Sequence, residues 1–220
     1  MTTNEVFSRQ GDTSLRQAAG VAGVASLLMA VAAIFAEFLS HQKLVIPGNA
    51  AQTAQNLVTQ ADSFRMGMAG YLIVLICDVL VSWAFYVFLA PVHRSLSLLA
   101  GLFRLVYTAI FGMSLLGLMT GFRMVTDPAY AAIWGPEQLA SQALMQLKSF
   151  DDGWAIALVF FAIHLLLIGY LLIRSGVAPK FLGVLLLMAG AAYLTDSFAK
   201  LLLPDYAAYK SVFTLAVALP

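Results

Sequence analysis

Five stretches of the chain are apolar for longer than any soluble core element needs: 17–39, 66–92, 95–122, 154–173 and 181–203. The hydrocarbon core of a bilayer is about 30 Å thick and takes about 20 helical residues to cross, so each stretch is long enough to span it. A sixth apolar segment begins at Tyr206 and runs to Pro220. Strands of a membrane barrel alternate apolar and polar residues. These runs are apolar on every face, which predicts helices. Charged residues make up 10% of the chain, against about 25% in ordinary soluble domains. Lipid, rather than water, can solvate such a surface. The expected fold is an all-α, polytopic transmembrane helix bundle of about six spans (17–220), preceded by a polar N-terminal tail (1–16). The first run exceeds the 7–15 apolar residues of a signal peptide and carries Glu37 near its end, so it reads as a retained helix.

Punctuation between the runs sets the connections. Ile46-Pro47-Gly48-Asn49 is a turn followed by a helix N-cap. Beyond it, Ala54, Leu57, Val58 and Ala61 recur at helical spacing on a polar segment, predicting a short amphipathic helix over 47–62. Gly135-Pro136-Glu137 opens a second such segment, 135–149, bearing Leu139, Ala143 and Leu147. Both are expected on one face of the bundle. On the other face, Val92-His93-Arg94 and Arg174-Ser175-Gly176 leave room only for tight turns. Asp151-Asp152-Gly153-Trp154 reads as the lead-in to the fourth span.

Positive residues number five on the side of the N-terminus (Arg9, Arg16, Arg94, Arg174, Lys180) and six on the other, so the count alone does not separate the faces. Two of the five precede the first helix and the rest sit in very short connections, where positive charge orients insertion most effectively. The sequence therefore predicts a cytoplasmic N-terminus. Net charge is +1 without any Lys/Arg cluster, which removes nucleic acid as a partner. The bilayer itself is the expected partner, with a small molecule or lipid as possible ligand.

Short pieces are spread along the chain: Ile46-Pro47-Gly48-Asn49 with Ala51 to Asn56 after it, Phe64-Arg65-Met66-Gly67, Cys77-Asp78-Val79, Phe103-Arg104-Leu105, Gly135-Pro136-Glu137-Gln138, His164 with Gly169-Tyr170-Leu171, Arg174-Ser175-Gly176, Pro179, Leu182-Gly183, and Tyr193-Leu194-Thr195-Asp196-Ser197. Together they resemble an uncharacterised bacterial membrane family, the one catalogued as domain of unknown function 4386. The resemblance covers most of the chain and implies the helical membrane fold, in a bacterial inner membrane, with a full sixth helix. It implies no activity, substrate or cofactor.

Ionisable groups at bilayer depth cost about 2.5–3.5 kcal/mol on insertion scales and usually face the bundle interior. At about 1.5 Å rise per residue, Asp78 lies about 18 Å along the second run from Met66, Arg104 about 14 Å along the third from Ser95, and His164 about 15 Å along the fourth from Trp154. All three fall near the middle of one membrane, and Tyr107 shares a helix face with Arg104. Two readings follow. In one, Asp78, Arg104, His164 and Tyr107 form a polar site or proton relay, or an acid–base pair of Asp78 and His164 acts on a lipid-like substrate. In the other, they are a buried salt bridge with a hydrogen-bonded histidine. A second set, Glu37, Arg65, Arg123, Asp196 and Lys200, lies near the outer surface and is a candidate vestibule.

Other chemistry fails on spacing. No His-x-x-x-His, His-Glu-x-x-His or Glu-x-x-His occurs, so the usual helical metal sites are missing. Gly-x-Ser-x-Gly and Gly-rich phosphate loops are absent, and His41 and His93 sit too far from His164 in depth to share a haem. No cofactor, metal or catalytic residue set is expected, and a non-enzymatic role, as a small carrier of protons or solutes or as a structural, partner-binding bundle, is favoured over an intramembrane enzyme acting on a lipid-like substrate. Gly117-x-x-x-Gly121 reads as a close helix contact.

Overall fold

The structure, a computed structural model, describes residues 3–176, 178–203 and 206, with side chains from Leu15 onward. The segment expected to start a sixth helix therefore lies outside the described residues, Tyr206 apart. Among the described residues every regular element is helical. They are α1 (Thr3–Glu37), a π-helical turn (Phe38–Gln42), α2 (Ala50–Thr59), α3 (Ala61–Thr126), α4 (Pro128–Ala131), α5 (Pro136–Ser175) and α6 (Lys180–Leu202). Four helices are long and apolar enough to cross a membrane: Leu15–Gln42, Ala61–Thr126, Pro136–Ser175 and Lys180–Leu202. Their surfaces suit lipid. On α1 alone, Val24, Leu27, Val31 and Ile34 are each at least two-thirds exposed.

The 66-residue α3 contains two of the expected spans. Pro91 lies inside it and His93 leaves helical backbone (φ −162°, ψ 99°), so two arms, 61–92 and 94–126, meet at one residue. The turn is tighter than the three residues the sequence allotted to it. His93 makes the reversal itself: its Nδ1 accepts from the Leu96 amide at 3.2 Å, capping the second arm.

α5 departs further from expectation. The amphipathic segment from Pro136 and the fourth span are one continuous 40-residue helix, running through Asp151-Asp152-Gly153. Gly153 is not a break. A Cβ there would collide with the Ser114 side chain, so the glycine serves helix contact. Gly117 and Gly121 do likewise: added Cβ atoms would stand 2.7 Å from the Gln146 carbonyl and 2.9 Å from that of Ala143. α5 ends where expected, with Gly176 at φ +65°. α2 is capped as the sequence predicted, Asn49 Oδ1 accepting from the Gln52 amide at 2.9 Å. Its buried face is Thr53 and Leu57, while Val58 is half exposed.

The chain forms two compact units, each assembled from separate segments. The first comprises Met1–Leu27, Cys77–Thr108 and Ala155–Pro220, and the second Leu28–Ile76 and Ala109–Trp154. In the first unit the arms of α3 are joined by side chains that step toward His93 from both sides. Ser82 Oγ donates to the Gly101 carbonyl at 2.9 Å, and Ser97 Oγ to that of Tyr86 at 2.9 Å. α5 and α6 meet at Gly169 and Gly183, where each added Cβ would lie 2.7 Å from the other's carbonyl oxygen. In the second unit Phe64 stacks on Phe122 at 4.4 Å, and Leu139 and Ala143 of α5 pack with Met124. There α2 and the start of α5 line one cavity of about 390 Å³, with Val58, Trp134 and Leu139 among its walls.

Candidate functional site

The first unit holds a buried polar network. Asp78 comes from the first arm of α3, Arg104 from the second and His164 from α5, and they are 1%, 4% and 1% exposed. Arg104 Nη2 donates to Asp78 Oδ1 at 2.6 Å, and Arg104 Nη1 to His164 Nε2 at 3.2 Å. His164 Nδ1 lies 2.9 Å from the Ala100 carbonyl. A carbonyl oxygen only accepts and a guanidinium only donates, so Nδ1 carries the ring proton and Nε2 is bare. The imidazole is thus a neutral ring with both nitrogens engaged. Asp78 Oδ2 has no hydrogen-bond partner among the described residues.

Aromatic rings close the network in. The Arg104 guanidinium carbon lies 5.5 Å from the centre of the Phe161 ring. Phe161 stacks on His164 at 5.8 Å and meets Tyr107 at 4.9 Å. Tyr107 is 7% exposed. The structure thus brings Asp78, Arg104, His164 and Tyr107 to one place, on three helical segments.

The residues grouped as an outer vestibule are spread over both units. Asp196 and Lys200 belong to the first unit, where Tyr206 donates to Asp196 Oδ1 at 2.8 Å. In the second, Arg65 is an exposed partner of Asp62 at 2.9 Å, with its guanidinium over Phe122, and Arg123 is exposed. Glu37 lines a cavity.

That cavity, about 490 Å³, lies within the second unit. Glu37 sits where α1 passes into the π-helical turn, a local widening of the helix that often marks functional positions. One helical turn on, His41 places Nδ1 3.4 Å from Glu37 Oε1 and Nε2 3.4 Å from Asp151 Oδ1. Tyr71, 1% exposed, donates to Glu37 Oε2 at 2.6 Å. Phe111, Phe150 and Trp154 complete the wall, Phe111 meeting Trp154 edge-to-face at 4.5 Å. Tyr71, His41 and Asp151 are residues that sequence reasoning missed. The i,i+4 pair of Glu37 and His41 was the available signal, as was the helical face shared by Phe150, Asp151 and Trp154. Among the described residues, no group of three His, Cys, Asp or Glu side chains is placed to hold a metal ion.

A sequence profile described as "Domain of unknown function (DUF4386)" matches residues 21–220. An uncharacterized protein of Archaeoglobus fulgidus (strain ATCC 49558 / DSM 4304 / JCM 9628 / NBRC 100126 / VC-16) is 33% identical over 131 residues, 59% of this chain and 64% of that protein. The chain thus spans just under two thirds of that relative's length. No solved structure matches it.

Proposed function

The chain belongs to the DUF4386 family, and we propose that it is a non-enzymatic, multi-pass protein of the cytoplasmic membrane that holds a small molecule or lipid without converting it. In this reading the N-terminus faces the cytoplasm, and Asp78–Arg104–His164 is a structural lock between helices. One observation carries it: both nitrogens of His164 are occupied, one by the Ala100 carbonyl and one by Arg104. An acid–base catalyst needs a ring nitrogen within hydrogen-bond reach of its substrate. A proton relay needs the same freedom. Asp78 is neutralised at 2.6 Å by the guanidinium, and neither cavity described above is lined by any member of the network. The second unit offers an open cavity with convergent polar groups.

Mass spectrometry of lipids and small molecules that co-purify with the protein tests the proposal. Retention of one unaltered species through purification is the expected result. Conversion of a co-purified lipid on incubation, lost in His164→Gln, would instead establish an intramembrane enzyme.

A further inference from the structure

We propose that the cavity beside Glu37 binds an amphipathic organic cation: a tertiary or quaternary ammonium head carrying an apolar tail. Three features of the second unit converge on that chemistry. The first is charge. Glu37 and Asp151 both line the cavity, and no Lys or Arg is among its lining residues. Their side chains are 37% and 39% exposed, so the carboxylates are accessible from the cavity. The second is the aromatic wall. Tyr71, Phe111, Phe150 and Trp154 meet one another at ring-centre distances between 4.5 and 6.3 Å; the first three are at most 3% exposed and back the wall, and the partly exposed Trp154 is the ring open to a ligand. Ring faces attract cations, and aromatic side chains are how proteins hold quaternary ammonium groups, which cannot donate hydrogen bonds; a tertiary ammonium can in addition donate its one N–H to a carboxylate.

The third is the entrance. Ile34 and Phe38 line the cavity and are 73% and 55% exposed, presenting apolar surface at its edge. They stand at the end of the apolar run 17–39, at the level where a charged head meets lipid tails. A ligand with its head among the carboxylates and its tail along Ile34 and Phe38 satisfies both surroundings. A small metal ion does not fit the donors. The two carboxylates stand at opposite nitrogens of the His41 ring and so do not converge within the 2.0–2.6 Å that a metal requires. An anion would meet two carboxylates, with His41 already held between them and no Lys or Arg among the lining residues to receive it. A zwitterionic lipid head shares the ammonium but brings a phosphate for which no basic side chain lines the cavity.

The inference rests on the reading that the chain holds a molecule, and its test is separable from that reading. Trp154 is the reporter. In a Trp83→Phe/Trp134→Phe background in neutral detergent, its emission is followed during titration with decyltrimethylammonium, decylphosphocholine or decanoate, each below its micellar concentration. The cation is expected to give a saturable change, the zwitterion one at least tenfold weaker, and decanoate none. A protein whose sole tryptophan is Trp83, outside the cavity, should not respond. Glu37→Gln with Asp151→Asn should weaken the cation at least tenfold with melting temperature retained, because Gln still accepts from Tyr71. If that double variant fails to fold, Asp151→Asn alone gives the reading. A flat cation titration, an equal response to decanoate, or unchanged affinity in the variant overturns the assignment. Equal affinity for decylphosphocholine overturns the lone cation in favour of a zwitterionic lipid head. None of these results bears on whether the protein converts lipids, which the co-purification experiment decides.

Discussion

Replacing Asp78 by Asn keeps the shape of the side chain and removes its charge, leaving the Arg104 guanidinium buried without its carboxylate. The size of the effect follows from the geometry. Opposite charges 2.6 Å apart attract by about 6 kcal/mol at an effective dielectric of about 20. Desolvation of both groups offsets much of this, and breaking one partner of such a pair costs about 3–5 kcal/mol. For a chain of this size that corresponds to a fall in melting temperature of about 10 °C. Arg104→Gln should cost a similar amount by orphaning Asp78. The double change should recover about 2–3 kcal/mol relative to the sum of the singles, because no uncompensated charge remains. Thermal unfolding of the four proteins in one detergent closes the cycle. Strictly additive losses, or single variants as stable as the wild type, would refute the structural lock.

Two further outcomes follow from packing and topology. Gly169→Val should destabilise by about 1–3 kcal/mol, since its side chain would be driven into the Gly183 carbonyl and Leu187, whereas Gly20→Ala, with open space around it, should be neutral or slightly stabilising in the same thermal assay. Ser8→Cys in a Cys77→Ala background should resist an impermeant thiol reagent in intact cells and react after lysis; efficient labelling of intact cells would reverse the proposed orientation.

What the sequence made legible was what depends on one helix at a time. The long apolar helices follow from apolar length, the Asn49 cap from local chemistry, and the similar level of Asp78, Arg104 and His164 along their helices from a constant rise per residue. Rotation about each helix axis is not encoded locally. Depth could place the three in one plane, but only packing turns Arg104 toward both partners. The same limit hid the Glu37 cavity, where Tyr71 and Asp151 come from helices far apart in the chain. Glycine misled in one place. Asp151-Asp152-Gly153 has the composition of a break, yet α5 runs straight through, because Gly153 answers a demand for space against Ser114. At His93 the reverse holds: one residue makes a turn to which the sequence allotted three, its side chain supplying the cap.

Whether His164 is a fixed structural element can be read directly from its ring. Selective ¹⁵N labelling of histidine, assigned by His164→Gln and observed by NMR in lipid nanodiscs, reports which nitrogen carries the proton and how fast that proton exchanges with water. A protonated Nδ1 bonded to the Ala100 carbonyl, a bare Nε2 facing Arg104, and slow exchange are expected. A proton on Nε2, or an Nδ1 proton exchanging rapidly with water, would contradict a fixed structural role and return His164 to the candidates for proton transfer.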